Sequence, residues 1–143
     1  MNPPSVSRFL ECALYVADLD CAQVFYERVF GFAVMFRDPR MAALDVPGRQ
    51  ALLLFRIGAS DLPSETPFGI VPGHGARGVQ HLCFAIPPEG IPDWEAHLAG
   101  LAIPIESRVH WAGGGTSLYF RDPDGHSLEV ATPGLWRNDP LEV

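Results

Sequence analysis

The feature that most restricts the fold of this chain is an internal repetition. "ECALYVADLDCAQVFYERVFGF" runs strand, turn, helix, glycine, and "HLCFAIPPEGIPDWEAHLAGLAI" runs the same way about seventy residues later. Glu11 aligns with His81, Leu14 with Phe84 and Val16 with Ile86, while Gly31 and Gly100 close the two helices. A chain that repeats one supersecondary unit reads as two such units built on the same packing solution.

Each half predicts a strand, a helix and several more strands. Ala22, Phe25, Tyr26, Val29 and Phe30 follow the three-and-four spacing of an apolar stripe on a helix that lies on a sheet. Asp18 or Asp20 suits its N-cap, and Gly31 suits the left-handed residue that ends it. In the second half Ile91, Trp94, Leu98 and Leu101 form a similar stripe, with Pro92 in the first turn and Gly100 at the stop. Later strands fall at 51–57, 116–122 and 126–132. The last two are joined by Asp122-Pro123-Asp124-Gly125, a tight hairpin signal. Segment 58–78 holds three prolines and five glycines and reads as the connection between the halves. A connection of that length without structure of its own is expected to be functional or mobile. The organisation predicted is a single domain over 1–143: module one about 7–57, the connection 58–78, module two about 79–134 and a C-terminal tail 135–143.

Bulk properties narrow the partners. The formal net charge is −7 and no basic cluster interrupts it. Non-specific attraction to nucleic acid or to an anionic membrane is therefore not expected. A small molecule or a second copy of the chain is the expected partner. Cys12, Cys21 and Cys83 are too scattered for a disulfide framework and form no CxxC pattern. Cys12 and Cys83 lie in apolar strand-like runs, where a thiol packs as a small hydrophobe. No apolar run approaches the ~18 residues that span a bilayer, and no apolar stretch follows a basic start at the N-terminus. A cytoplasmic, reducing setting is the expectation.

Strand side chains alternate between faces, so residues two apart share one. Leu10, Cys12, Leu14 and Val16 make an apolar face, and Leu82, Phe84 and Ile86 make its counterpart under the second helix. The opposite faces then receive Glu11, Ala13 and Tyr15 from the first half and His81, Cys83 and Ala85 from the second. In "HSLEVAT" the same alternation puts Ser127, Glu129 and Ala131 on that side. A carboxylate centred in a short apolar strand is costly unless a cation, hydrogen bonds or solvent answers it. Glu11, His81 and Glu129 are accordingly expected to converge on one divalent metal. One imidazole and two carboxylates suit Mn, Fe(II), Ni, Co or Zn, with other positions left to water or substrate. The plainer alternative makes His81 an ordinary strand histidine, Glu11 an exposed edge residue and Glu129 the ion-pair partner of Arg121 or Arg108.

Tyr119 shares a face with Ser117 and Arg121 and is either a hydrogen-bond donor to substrate or a core tyrosine with a wet tip. Tyr15, Ser117 and Arg121 are candidate substrate contacts. So are the loop residues His74, His110 and Trp111, which would close over a ligand or stand exposed. Gly113-Gly114-Gly115 precedes a strand and has no following lysine, so it is not a phosphate loop. His126 is expected at the surface, pointing away from Glu129.

The repeat, with His81 opening a strand and "SLYFRDPDGHSLEVATPG" at 117–134, resembles the vicinal oxygen chelate superfamily. That superfamily includes glyoxalase I, fosfomycin-resistance transferases, extradiol dioxygenases, methylmalonyl-CoA epimerase and bleomycin-resistance proteins. The resemblance runs from about Phe9 to Trp136 and is most specific in "YFRDPDGHSLEV". It implies an α+β fold of two tandem βαβββ modules, each forming an open half-barrel around a central cavity, and a homodimer. His81 and Glu129 match ligand positions of the second module, and Glu129 would double as a base. Glu11 stands where many members carry His, or His or Gln in glyoxalase I. Its added charge would blunt the Lewis acidity of the ion. "RQALLLFRI" offers no acid or histidine where glyoxalase I has a fourth protein ligand; Gln50 is the only amide. Three protein ligands look closer to the transferase and dioxygenase branches, although extradiol dioxygenases usually use two histidines. The resemblance leaves two readings open. One is a glyoxalase-type lyase or isomerase, or a dioxygenase. The other is a metal-free binding protein that sequesters a drug or metabolite.

Overall fold

The computed structural model describes residues 1–142. They divide into two compact units, Met1–Arg77 and a second starting at Gly78. The first unit runs β1 (Glu11–Val16), α1 (Leu19–Phe30), β2 (Ala33–Arg37), β3 (Met41–Val46) and β4 (Gln50–Arg56), then β5 (Ser64–Thr66) and β6 (Gly69–Val71). The second runs β7 (His81–Ala85), α2 (Ile91–Gly100), β8 (Ser107–His110), β9 (Thr116–Arg121) and β10 (Ser127–Ala131). The sheet orders are β1-β4-β3-β2 and β7-β10-β9-β8. In each, the first strand pairs in parallel with the last and the remaining pairs are antiparallel. Both units are thus βαβββ modules of one topology, an open sheet with one helix, as the repetition implies.

Local chemistry accounts for most boundaries. Asp18 caps α1 by accepting from the Cys21 N–H at 3.0 Å. Gly31 ends α1 at φ 71°, its N–H donating to Glu27 O, a conformation that costs a residue without Cβ little. The buried stripe is Leu19, Ala22, Tyr26 and Val29, with Phe25 and Phe30 half-buried at its edges. The sheet answers with Leu14, Val16, Leu44, Leu52 and Leu54, all nearly or wholly buried. Burial on β1 starts only at Leu14, because Leu10 and Cys12 stay exposed. Cys21 and Cys83 also keep exposed surface, although the Cys83 thiol itself is desolvated beside Glu129, so none of the three is the fully packed hydrophobe expected for Cys12 and Cys83.

In the second unit Leu98, Leu118, Phe120, Leu128 and Val130 are fully buried, and Trp94 stacks on Phe120 at 6.5 Å. The stop of α2 differs from expectation. Gly100 is still helical and Leu101 is the cap. Ala102 takes the left-handed position at φ 56°, its N–H donating to Ala99 O while the Ile103 N–H donates to Leu98 O. That bond pair is a Schellman turn, and its geometry sets the stop two residues beyond the glycine.

The 58–78 connection is also different from a bare loop. β5 and β6 form a hairpin within it. Below the hairpin the chain closes on itself: Ser60 Oγ donates to His74 O and the His74 N–H to Ser60 O, both at 2.8 Å. Arg77 pairs with Asp61 at 2.8 Å. A Cβ on Gly73 would stand 2.3 Å from Asp61 O, so the two legs touch backbone to backbone.

Candidate metal centre

The strand register of the second unit assembles its site. Glu129 on β10 lies between Cys83 on β7 and Tyr119 on β9, and Ser127 pairs with His81. His81 Nδ1 is 2.8 Å from Ser127 O. A carbonyl only accepts, so Nδ1 carries the hydrogen and the neutral ring keeps its lone pair on Nε2. That nitrogen stands 3.4 Å from Glu129 Oε1. Two acceptors face one another there, an arrangement that requires either a proton on Nε2 or a cation between them.

The spacing suits a cation. Two ligand atoms with bonds of ~2.1 Å to one ion stand about 3.0 Å apart at a right angle and about 3.4 Å apart at the tetrahedral angle. A ligating histidine ordinarily donates its other N–H to a carbonyl or carboxylate, as His81 does. The donor set therefore fits a borderline divalent metal.

Glu129 is 4% exposed and is held from behind. Trp111 Nε1 donates to Ser117 Oγ at 2.8 Å, and Ser117 Oγ donates to Glu129 Oε2 at 2.5 Å. Ser117, fully buried, and Trp111 thereby fix the carboxylate rotamer, and the Ser117 hydroxyl hydrogen is committed to Glu129. Neither arginine weighed for Glu129 pairs with it. Arg121 makes a two-pronged contact with Glu106, and Arg108 pairs with Glu95 at 2.8 Å. Tyr119 lies with its ring 6.4 Å from that of His81. Its pKa is raised by burial first, then by the charge of Glu129 and a hydrogen bond to it. The Cys83 thiol, pushed up to about 12 by desolvation and then by Glu129, is a neutral neighbour on the face that strand alternation gives it. His110 sits at the end of β8 and its Nδ1 is 3.1 Å from Thr116 Oγ1.

In the first unit Glu11 opens β1, exposed, opposite Ala51, with Asp45 as the next residue along that row. It holds the strand position that His81 holds on β7. The position on β4 that corresponds to Glu129 is Leu53, the partner of Ala13. Gln50 falls on the opposite parity, so the first sheet supplies no fourth ligand from β4. Tyr15 and His74, 59 residues apart, meet at 2.6 Å between the hydroxyl and Nδ1, and both pack on Phe55.

His126 corrects an expectation: it is 2% exposed instead of superficial. Its Nδ1 accepts from the Gln80 N–H at 3.0 Å, which ties the β9–β10 hairpin to the start of β7. Asp122, Asp124 and His126 offer ligand atoms within 4.8 Å of one another. Asp122 Oδ1, however, accepts from the Asp124 and His126 N–H groups. With Nδ1 accepting, Nε2 of neutral His126 carries the proton and has no lone pair for a metal. The cluster builds the turn.

A family model described as "Glyoxalase/Bleomycin resistance protein/Dioxygenase superfamily" matches residues 8–130. A crystal structure of lactoylglutathione lyase from Agrobacterium tumefaciens superposes with a TM-score of 0.84 at 37% identity, covering 95% of this chain and 99% of that one. The metallothiol transferase FosB of Bacillus licheniformis is 29% identical over 122 residues, 85% of this chain and 72% of FosB. The fosfomycin resistance protein FosX of Listeria monocytogenes shares the fold at a TM-score of 0.68 and 17% identity, over 96% of this chain and 100% of FosX.

Proposed function

Because the chain belongs to the Glyoxalase/Bleomycin resistance protein/Dioxygenase superfamily, we propose that it is a metal-dependent enzyme acting on a small, oxygen-rich substrate. His81 and Glu129 are its proposed ligands, and Glu11 the proposed third. The observation that carries the reading is the His81 Nε2–Glu129 Oε1 pair at 3.4 Å, two acceptors face to face with the histidine tautomer set by Ser127. The third ligand rests on the repeat alone, because Glu11 occupies on β1 the place of His81 on β7.

The ion, when bound, would supply Lewis acidity towards adjacent substrate oxygens. The chain's residues do the rest. Ser117 and Trp111 hold Glu129 in one rotamer, so that Oε1 stays aimed at His81 Nε2. Tyr119, whose pKa is raised, keeps its proton near neutral pH and holds it towards Glu129, from which a substrate oxygen would have to take the hydrogen bond. Glu129 is the proposed proton acceptor. Two of the similar proteins are named for thiol chemistry, a metallothiol transferase and a lactoylglutathione lyase. A thiol adduct is therefore the first substrate class to try, followed by epoxides with thiols and by catechols. A homodimer is proposed, to be read from sedimentation as twice the 15.6 kDa chain mass.

The test is metal content after purification without chelator, followed by reconstitution with Mn, Fe(II), Co, Ni and Zn. One ion per chain is expected in the wild type, strongly reduced in Glu129→Ala and weakened in Glu11→Ala. A wild type that takes up no ion from any of the five solutions defeats the enzymatic reading and leaves a metal-free binding protein.

A further inference from the structure

A cavity of about 200 Å³ lies wholly within the first unit, under the β5–β6 hairpin. Its apolar wall includes Met41, Phe55, Leu62 and Val71, and its polar groups include Arg40, Ser64 and His74. The roof is built without any ligand, because the Ser60–His74 bonds and the Arg77–Asp61 pair close the segment beneath the hairpin. His74 is held from the other side by the Tyr15 hydroxyl and by the edge of Phe55 at 4.6 Å.

The charge balance of this cavity is one-sided. No lining residue is acidic. Arg40 is half-buried, and its guanidinium donates to the neutral Ser64 hydroxyl at 3.2 Å. Arg37, Arg77, Arg108 and Arg121 all pair with carboxylates, whereas Arg40 has no carboxylate within ion-pair distance among the described residues. A guanidinium presents five N–H donors in a planar fork that matches a carboxylate two bonds at a time. The volume falls below the ~300 Å³ at which pockets begin to enclose whole drug-sized ligands, so it suits a fragment.

We propose that the first unit carries a preformed subsite for a small carboxylate on an apolar stem, with the carboxylate on Arg40 and the stem against Met41, Phe55 and Val71. The subsite rests on the first unit alone and stands or falls independently of the metal reading.

The test uses the full-length protein stripped of metal, followed by amide NMR during titration with benzoate and with its neutral isostere benzamide. Benzoate is expected to shift the amides of 40–41, 55, 60–62, 64–66, 71, 73 and 74 and to bind at least about tenfold tighter than benzamide, the worth of one charge-assisted contact. Arg40→Gln is expected to bring benzoate down to the benzamide level. Equal binding of the two ligands by the wild type, or shifts confined to the second unit, would overturn the proposal. So would no shift up to the solubility limit, or undiminished benzoate binding in a folded Arg40→Gln protein. The comparison of the two ligands on the wild type remains decisive if the variant does not fold.

Discussion

Glu129 stands at the end of a line of donors that begins at an indole. Trp111 gives its N–H to Ser117, and Ser117 gives its only hydrogen to Oε2 of the carboxylate. Without the serine hydroxyl, Glu129 would lose the bond that fixes its torsions. Ser117→Ala is therefore expected to lower metal affinity about 10- to 100-fold, the usual cost of removing an outer-shell partner, while leaving the stoichiometry at saturation unchanged. Competition against a fluorescent chelator measures this, and an unaltered affinity would mean that the serine only packs. The face that carries Glu129, Tyr119 and His81 was legible in the sequence because it follows from the alternation of strand side chains. The role of Ser117 was not. Alternation places its hydroxyl on the right face, but only the β9–β10 register decides that its hydrogen goes to Glu129 and not to a substrate.

At the scale of elements, the two helices show how far local signals reach. Gly31 ends α1 where the sequence puts it, and Asp18 is the cap of the two acids the sequence offers, since both act through bonds within one turn. For α2 the nearest glycine was the obvious stop, yet Ala102 adopts φ 56°. The left-handed conformation costs a residue with a Cβ roughly 1–2 kcal/mol, and a glycine returns part of that as extra freedom in the unfolded chain. Ala102→Gly is expected to stabilise the protein by about 0.5–1 kcal/mol in urea unfolding, with the m-value unchanged. A loss of stability would show that the Schellman turn is not strained. The 58–78 connection was the element read least well. Its prolines and glycines mark a break in periodicity, but the bonds that close it join Ser60 to His74 and Asp61 to Arg77 across the intervening hairpin. Composition does not encode such pairs, nor does it mark Arg40, whose setting depends on the hairpin folded over it.

For the whole molecule, the charges define a pH response. Cys83 is pushed up to about 12 by desolvation and then by Glu129, and Tyr15 and Tyr119 are raised, chiefly by burial. All three are neutral when protonated. In the unfolded chain the thiol loses its proton near 9 and the phenols near 10, while the folded protein still holds them. Over that interval the unfolded state binds fewer protons, so stability falls as pH rises. The stabilising contribution is whole below about pH 9 and is lost on the way to pH 12. Urea midpoints of the metal-stripped protein are expected to be flat from pH 7 to 8.5 and to drop above pH 9. Cys83→Ala is expected to lessen the first part of that drop, and an identical drop in the variant would remove Cys83 as its source. No helix among the described residues is long and apolar enough to cross a membrane.

The sequence alone determined the duplication, the strand–helix–strands order of each unit, the faces of the strands and the identity of the acids and imidazole on them. Those properties follow from backbone periods of two and 3.6 residues and from turns closed by near neighbours. Tertiary structure alone decided which atoms meet. It gave His81 its tautomer through Ser127, gave Glu129 a serine in place of an arginine, buried His126, and roofed Arg40 with a hairpin. Each of these rests on pairing between segments distant in the chain, where a shift of one residue would exchange every partner.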